Sequence, residues 1–319
     1  MRVAITGIRG LIGGALAASL RADGHEVLGV SRRPGLVAAV GRTGEASGEA
    51  RETGVSEGPG AAGGTAVWDV AAGSIDAAAL EGLDAIVHLA GESIGGRWSD
   101  KRKAAIMSSR VESTKLLADT VRSLDTKPSV FICGSAVGFY GNRGDEELTE
   151  LSLPGDGFLA EVCKRWERAA VPIADAGVRL VRIRTGLVVG PGAEAIERMA
   201  RITRLGAGGP LGGGRQWWSW ISLDDEVRAI RHLIDSDVSG AFNLTAPNPV
   251  RQRDFQRALS AALRRPSFMP APKFAIGAAL GEMGQALLLD STRVLPDALT
   301  DDGFEFAHPE LSGALSNAL

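Results

Sequence analysis

Hydrophobic residues along this chain alternate between short continuous runs and stretches with a helical period. The first apolar run covers residues 3–5, ends at a Thr-Gly pair, and is followed by a helical apolar pattern over 15–20. Similar pairs of an apolar run and a helical stretch recur further along the chain. This order is typical of parallel strands joined by helices, and it predicts an α/β fold with a doubly wound parallel sheet of the Rossmann type.

The same pattern predicts where strands and helices lie and divides the chain into two domains. Strands are expected at residues 3–5, 26–31, 66–70, 84–91, 129–134, 178–184 and 241–244. Helices are expected at residues 15–20, 74–80, 99–124, 157–167, 196–205, 223–235, 252–264, 270–289 and 309–318. Residues 1–190 are predicted to form a Rossmann domain, and residues 191–319 a smaller, mostly helical substrate domain that is partly interleaved with it.

Residues 41–65 consist mostly of Gly, Ala, Glu, Arg and Ser, with almost no large apolar side chains. Such a segment cannot bury enough apolar surface to offset the entropy lost on ordering it. We therefore predict a mobile surface insertion at residues 41–65.

Three glycines, Gly7, Gly10 and Gly13, follow the first strand at regular spacing. In a dinucleotide-binding turn they permit the tight turn, the approach of a pyrophosphate and the close packing of helix on strand, respectively. The helix N-terminus then offers free N–H groups to the phosphates. This interpretation assigns cofactor contacts to Thr6, Gly7, Arg9, Gly10, Leu11, Ile12 and Gly13. A turn whose glycines serve only the fold is the alternative.

The second predicted strand ends in Ser31, Arg32 and Arg33. An NAD-preferring Rossmann unit has an acidic side chain near this point for the ribose 2′-hydroxyl, and here two guanidinium groups take its place. Because a guanidinium fork suits a 2′-phosphate, we expect these three residues to bind NADP(H). Two solvated arginines at a strand end are the alternative.

The ends of the third and fourth strands provide further candidate contacts with a cofactor. Asp69 and Val70 end the third strand and are expected under the adenine, with capping of the next helix by Asp69 as the alternative. The fourth strand ends in Leu89, Ala90 and Gly91, where small residues let the backbone run beside the cofactor.

Composition narrows the set of partners. The 319 residues are 45% apolar, enough for a full core, and the net charge of −3 without a basic run argues against nucleic acid. Cys133, Cys163 and four scattered histidines form neither a disulfide framework nor a metal-ligand pattern, and His88 lies inside an apolar run as a core residue. With no signal peptide and no membrane-spanning stretch, we expect a cytoplasmic protein without membrane contact.

Several motifs follow one another along the chain. They are the Thr-Gly-x-x-Gly-x-x-Gly turn, an Asp after the third strand, His-Leu-Ala-Gly after the fourth, and Ser-x-x-x-x-Tyr-Gly after the fifth. Together with segments 184–192 and 220–225 they resemble the extended short-chain dehydrogenase/reductases of the epimerase/dehydratase type. Further segments resemble the sugar-epimerase-like subfamily called epimerase family proteins, namely 208–220, 242–249, 281–283 and 293–296. The resemblance covers nearly the whole chain outside residues 41–65.

That resemblance implies a catalytic Tyr-x-x-x-Lys pair, in which the tyrosine moves a proton while the lysine lowers its pKa and holds the nicotinamide ribose. Counted back from Glu167, the two positions hold Leu159 and Cys163. Lys164 lies about 100° around the helix from the lysine position, and we expect it to reach the ribose or a phosphate.

Three residues are candidates for catalysis in the absence of this pair. Ser135 stands in the place of the family's substrate-orienting serine, with capping of a turn as the alternative. Tyr140 is the one tyrosine of the chain and either acts as acid/base or packs over the cofactor. Glu92 is a candidate general base in a glycine-hinged loop, and the resemblance places Arg97 and Arg110 in the same cleft.

Three tryptophans within four residues follow a glycine-rich stretch beyond the sixth strand. Gln216, Trp217 and Trp218 are predicted to line an apolar substrate pocket together with Arg97. Packing of these aromatic residues on the core is the alternative.

These features lead to two hypotheses about function. The first is an NADP(H)-dependent oxidoreductase or epimerase-like enzyme that acts on a small, sugar-like substrate without the Tyr-x-x-x-Lys pair. The second is an NADP(H)-binding sensor or regulatory protein that has lost catalysis. The resemblance also implies a homodimer formed through the helices after the fourth and fifth strands.

Overall fold

The structure is a computed structural model that describes residues 1–32, 64–266 and 268–319. Arg33 and positions 41–63 of the predicted insertion lie outside these residues. Strands β1 to β14 are Arg2–Thr6, Glu26–Ser31, Thr65–Asp69, Ser74–Ile75, Ala85–His88, Val130–Ala136, Glu147–Leu148, Arg179–Thr185, Leu187–Val189, Trp217–Trp218, Trp220–Ser222, Gly240–Leu244, Val250–Arg251 and Arg293–Val294. Helices α1 to α10 are Leu11–Ala22, Asp100–Ser123, Phe158–Asp175, Glu194–Arg204, Leu223–Asp235, Gln252–Leu263, Lys273–Leu280, Glu282–Gly284, Asp297–Asp301 and Leu311–Ala318.

Eight strands form one sheet in the order β12-β8-β6-β5-β1-β2-β3-β4. Neighbouring strands in it run parallel except at the edge, where β4 is antiparallel to β3. From β1 the chain adds strands on one side, and then returns to add β5, β6, β8 and β12 on the other. The predicted doubly wound Rossmann sheet is confirmed, and its strand order reverses between β1 and β5.

Alternate strand residues pack into two hydrophobic layers, one on each face of the sheet. On one face Val3 and Ile5 share a buried cluster with side chains of α1 and α5. On the other face Ala4 and Ile86 share a cluster with side chains of α2 and α3. Because the central strands are covered on both faces, their apolar runs are almost continuous.

Residues after 190 contribute to the main sheet as well as to a separate cluster. β12 is an edge strand of the main sheet, and Leu299 and Phe304 lie in the same cluster as the residues of β1. A third cluster joins α4, α6 and α10 with Trp218 and Trp220. The late part of the chain therefore completes the core that the first strands begin.

Asp225 ties the segment before α10 to the first turn of α5. Its carboxylate accepts hydrogen bonds from the backbone N–H groups of Ala307 at 2.8 Å and His308 at 2.9 Å. Ser222 and Arg228 donate to the same carboxylate from the N-cap and the next turn of the helix. A fully buried carboxylate is tolerated here because every side of it meets a donor.

Two predicted helices differ from the structure. The helix predicted at 74–80 is limited to a short 3₁₀ helix at Ala78–Leu80, because the chain turns at Gly73, where φ is +65°, and Ser74–Ile75 pairs back on β3 as β4. The helix predicted at 270–289 is interrupted at Gly281, where φ is +60°. A positive φ ends a helix, so this stretch becomes α7, α8 and a short π-helical segment.

Within the three described ranges, no helix combines the length and the apolar character needed to cross a membrane. The same ranges hold no group of three or more His, Cys, Asp or Glu side chains suited to a metal ion. The 24-residue helix α2 carries charged residues along much of its length.

Glu226 is a buried carboxyl group in the first turn of α5. Its Oε1 accepts a hydrogen bond from the Thr185 hydroxyl at 2.8 Å, whereas Oε2 has no partner among the described residues. Burial raises the pKa of Glu226 to about 8, and the hydrogen bond from Thr185 opposes part of that rise. The folded protein therefore favours protonated Glu226, while the unfolded chain ionises it near its usual pKa.

Between about pH 5 and pH 8 the folded state binds more protons at Glu226 than the unfolded state, so stability falls as pH rises. Glu226→Gln removes this dependence. Its Tm should be close to that of the wild type near pH 5 and exceed it increasingly toward pH 8, since one pKa unit corresponds to about 1.4 kcal/mol. Thermal unfolding across this range measures the difference, with Glu112→Gln on the exposed face of α2 as control. A Tm difference that is constant with pH would contradict the prediction.

Candidate functional site

The strand order reverses between β1 and β5, and we call the region at the carboxyl ends of these two strands the crevice. Open α/β sheets bind ligands at such a reversal. Helix α1 begins there at Leu11, and its N-cap residue Gly10 has no side chain to satisfy the first N–H groups of the helix. These N–H groups and the partial positive charge of the helix end are suited to hold a phosphate.

Two of the three glycines of the turn leave no room for a side chain, and the third is open to solvent. Gly7 has a φ of +69°, and a Cβ atom there would lie 2.9 Å from the backbone carbon of Leu89. A Cβ atom at Gly13 would lie 2.4 Å from the Gly7 oxygen, so α1 packs on the turn after β1 too closely for a side chain. Gly10 is exposed at the mouth of the crevice, so its backbone is open to a ligand.

Thr6 joins the ends of β1 and β5. Its Oγ1 accepts hydrogen bonds from the backbone N–H groups of Leu89 at 3.0 Å and Ala90 at 3.1 Å, and lies 2.7 Å from His88 Nδ1. Because both lone pairs are used, the hydroxyl donates to Nδ1, and His88 carries its proton on Nε2, which faces Ser113 Oγ at 3.2 Å. Burial lowers the pKa of His88 to about 3, as expected of a neutral core histidine.

The structure contradicts the prediction that Thr6 contacts a cofactor. Thr6 is 0% exposed, and its hydroxyl is fully engaged inside the sheet. The residue instead fixes the two strand ends between which the crevice opens.

The adenine side of the predicted site lies at the ends of β2 and β3. Ser31 ends β2, and the exposed Arg32 follows it directly. Asp69 Oδ1 accepts hydrogen bonds from the backbone N–H groups of Ala71 and Ala72, each at 3.0 Å. The Asp69 carboxylate therefore caps the turn after β3, and its predicted contact with adenine stays a prediction. The other predicted cofactor residues lie at the same edge of the sheet: Arg9, Leu11, Ile12, Val70, Leu89, Ala90 and Gly91.

A buried ion pair links α3 to the end of β8. Glu167 and Arg184 are 5% and 4% exposed, and Arg184 donates to both carboxylate oxygens, from Nε at 2.9 Å and Nη2 at 3.0 Å. Ser135 donates to Glu167 Oε1 at 2.7 Å. Arg184 Nη1 donates to the Tyr140 hydroxyl at 2.9 Å, which in turn donates to Asn243 Oδ1 at 2.6 Å.

This network uses both hydroxyl groups that are candidates for catalysis. Ser135 gives its proton to Glu167, so its oxygen can accept a hydrogen bond from a substrate but not donate one. Tyr140 is 0% exposed, and burial raises the pKa of its phenol, although Arg184 opposes the shift. An acid/base role for Tyr140 conflicts with this geometry, because the phenol is closed off from solvent and its proton is held by Asn243.

Helix α3 shows what stands where the family has its tyrosine and lysine. Leu159 packs beside Gly138, whose added Cβ atom would lie 3.3 Å from the Leu159 Cβ. Burial raises the pKa of Cys163 to about 11, so the thiol stays protonated at neutral pH. Lys164 pairs with Glu161 at 3.0 Å, and its predicted contact with a ribose or phosphate stays a prediction.

The loop after β5 carries two predicted site residues. The Glu92 side chain is 42% exposed and lies 3.5 Å from Arg102 Nη1. Of the three predicted catalytic groups, Glu92 is thus the one open to solvent. Arg97 donates from Nη1 to the carbonyl of Ala278 on α7 at 3.3 Å, so it bridges the loop to the C-terminal region.

The predicted substrate pocket is not lined by Trp218 or Gln216. Trp218 is 7% exposed and packs edge-on against Phe255, with ring centres 5.3 Å apart. The buried Gln216 amide donates to the carbonyls of Leu211 at 3.0 Å and Leu288 at 2.7 Å. Packing on the core, the alternative from the sequence, therefore describes both residues.

Trp217 is the partly exposed member of the group. The guanidinium carbons of Arg251 and Arg293 lie 4.0 Å and 4.6 Å from its ring centre. Its indole N–H donates to Asp145 Oδ1 at 3.1 Å, which also accepts from Arg251 at 2.6 Å. The ring is thus held by cations and an acceptor of the chain itself, and its contact with a substrate stays a prediction.

Arg184 and Asn243 were missed by the reasoning from sequence. A signal for Arg184 exists, because charged residues within the apolar run of β8 must find partners once the strand is buried. The partner that Arg184 needs is Glu167 on the inner face of α3, and the sequence alone does not show that these two residues meet.

Comparisons with known proteins extend over nearly the whole chain. The model of the NAD dependent epimerase/dehydratase family matches residues 3–245, and a domain of unknown function, DUF1731, matches residues 271–318. An epimerase family protein of Mycobacterium leprae is 39% identical over 318 residues, which cover 99% of this chain and 95% of that protein.

Two solved structures are also similar. The crystal structure of the human epimerase family protein SDR39U1 with NADPH has a TM-score of 0.83 and 32% identity, covering 99% of this chain and 98% of that chain. A nucleoside-diphosphate sugar epimerase from Corynebacterium glutamicum has a TM-score of 0.74 and 36% identity, covering 99% of this chain and 57% of that chain.

Tyr140→Phe tests the role that the geometry gives to the phenol. Removing the hydroxyl leaves Arg184 Nη1 and Asn243 Oδ1 without this partner, which should cost about 1–3 kcal/mol of unfolding free energy. Chemical denaturation measures the loss, with Ser108→Ala as control for an exposed hydroxyl. NADPH affinity should stay within about twofold, because the phenol is buried. If the variant kept its stability but lost NADPH-dependent turnover, the phenol of Tyr140 would act in catalysis and the prediction would be wrong.

Proposed function

Because the chain belongs to the NAD dependent epimerase/dehydratase family, we propose that it is an NADP(H)-dependent oxidoreductase or epimerase-like enzyme acting on a small, sugar-like substrate. The observation that carries the proposal is the uncapped N-terminus of α1 at the strand-order reversal between β1 and β5. A pyrophosphate fits there because the exposed Gly10 lets it approach the backbone, while Gly7 and Gly13 permit the tight turn and the close packing of α1 that place the helix end.

NADP(H) is favoured over NAD(H) by the end of β2. The strand ends without an acidic side chain and continues into Arg32 and Arg33, whose guanidinium groups suit a 2′-phosphate. The similarity to the human protein crystallised with NADPH supports the same cofactor. The name of the Corynebacterium glutamicum protein, a nucleoside-diphosphate sugar epimerase, supports a sugar-like substrate.

Residues around the cofactor are proposed to orient the substrate and to transfer a proton. Bound NADP(H) supplies or accepts a hydride, while the protein orients the substrate and moves a proton. Glu92 is our candidate to move that proton, since its carboxylate is half-exposed at the carboxyl end of β5. Ser135 is 6% exposed and gives its proton to Glu167, so its contact with a substrate stays a prediction.

A sensor or regulatory protein is the second candidate function. The observation that favours it is the internal use of Ser135 and Tyr140, together with the apolar Leu159 and the buried Cys163 at the family's catalytic positions. Such a protein would bind NADP(H) without turning it over. The cytoplasmic location and the homodimer stay predictions from the sequence.

Replacing Arg32 and Arg33 with alanine tests the choice of cofactor. NADPH affinity should fall about tenfold or more, because a hydrogen bond to a charged group contributes about 1.5–3 kcal/mol. NADH affinity should change little, since NADH has no 2′-phosphate. Fluorescence titration with both cofactors measures the ratio, with Arg122→Ala on the exposed face of α2 as control. Equal losses for NADPH and NADH would show that the arginines do not bind the 2′-phosphate.

Glu92→Gln tests the enzyme and its acid/base group. A metabolite extract is first fractionated to find a fraction with which the wild-type protein oxidises NADPH or reduces NADP. With that fraction, the turnover rate of Glu92→Gln should be about 100-fold lower or more than that of the wild type, with unchanged NADPH affinity. The assay follows cofactor absorbance over many turnovers and, because an epimerase regenerates its cofactor in each cycle, also in a single turnover. Glu112→Gln, an exposed glutamate on α2, is the matched control.

The outcomes of this assay separate the two functions. Turnover that Glu92→Gln abolishes supports the enzyme with Glu92 as its acid/base group, whereas undiminished turnover in the variant excludes Glu92 from that role. Tight NADPH binding with neither multiple nor single turnover in any fraction would favour the sensor.

A further inference from the structure

Arg110 lies on α2 with its guanidinium group against the end of β5. A Cβ atom added to Gly91 would lie 2.9 Å from Arg110 Cζ, so the missing side chain at Gly91 makes room for the guanidinium. The same carbon lies 5.1 Å from the ring centre of Trp166 on α3. Arg110 is therefore placed between the loop after β5 and the helix that carries the family's catalytic positions.

Most of the hydrogen-bonding capacity of Arg110 is unused within the described part of the chain. Nη1 donates to the carbonyl oxygens of Glu92 at 3.0 Å and Ile106 at 3.1 Å. Nη2 and Nε make no hydrogen bond to the described residues. A guanidinium with donors to spare in a partly buried setting favours an oxygen-rich ligand.

Arg110 also lies near the position of the family's lysine. Burial lowers the pKa of Arg110, and Cys163 and Glu92 are close enough to oppose that shift. α2 packs along α3, and the Trp166 ring that the guanidinium meets stands about one helical turn after Cys163. The buried thiol of Cys163 offers no positive charge of its own.

We propose that Arg110 binds the nicotinamide ribose of NADP(H), in place of the lysine that Cys163 has replaced. The proposal rests on the NADP(H) binding of the proposed function and is independent of turnover. A ribose carries two vicinal hydroxyl groups, and the planar guanidinium fork donates to two neighbouring oxygens at once.

Two other cations, on α3 and at the start of α2, are occupied elsewhere. Lys164 pairs with Glu161 at 3.0 Å on the outer side of α3. Arg102 Nη2 donates to the carbonyl oxygens of Ser93 at 2.8 Å and Gly95 at 3.0 Å. Arg110 differs from both because two of its nitrogens remain available beside Gly91.

The test measures binding of three ligands to wild type and to Arg110→Gln by calorimetry. They are NADPH, 2′-phospho-ADP-ribose, which keeps the second ribose without nicotinamide, and adenosine 2′,5′-bisphosphate, which lacks that ribose. We expect Arg110→Gln to weaken the first two about tenfold and to leave the bisphosphate within about twofold. Arg110→Lys should recover part of the affinity, and Lys115→Gln on the exposed face of the same helix should change none of the three.

Two results would overturn the proposal. A similar loss for all three ligands would show that Arg110 only supports the fold of the crevice, and a loss confined to NADPH would place its contact at the nicotinamide ring. Because the readout is affinity, wild-type protein that binds NADPH without turnover would refute the proposed enzyme while leaving this test of Arg110 intact.

Discussion

The buried pair of Glu167 and Arg184 constrains the catalytic side of the molecule. Two charges withdrawn from water are tolerated only when their remaining donors and acceptors are also satisfied. Ser135, Tyr140 and, behind it, Asn243 meet that demand, and they connect α3 with β6, β8 and β12. The two hydroxyl groups that were candidates for catalysis, those of Ser135 and Tyr140, are therefore part of what keeps this ion pair stable.

This constraint divides the crevice into a phosphate side and a reactive side. On the phosphate side, the glycine turn and the clamp between Thr6 and His88 keep the geometry of a dinucleotide-binding fold. On the reactive side, the available charged groups, Glu92 and Arg110, both belong to the β5 loop and α2 rather than to α3. Chemistry in this protein is therefore expected to centre on β5 and its following helix.

The fold could be predicted from the sequence because parallel strands covered on both faces and a glycine turn leave direct marks in the order of residues. The pairing of residues 74–75 as strand β4 could not be predicted, because Gly73, with its positive φ, turns the backbone there against the local helical pattern. The site was predicted by position but not by orientation: Thr6, Ser135 and Trp218 stand near their expected places, yet their side chains point into the core or into other side chains. Which way a polar group points depends on partners far away in the chain, and periodicity carries no information about them.

The contributions of Leu299 and Phe304 to the cluster that begins with Val3 have a consequence for biosynthesis. A ribosome releases the first strands and α1 long before the residues that cover them, and β12 and the backbone groups that bind Asp225 also emerge late. Until those later segments are made, this apolar face of the first strands is only partly covered. Folding of the sheet therefore depends on residues far along the chain, and a partly synthesised form presents the kind of apolar surface that chaperones bind.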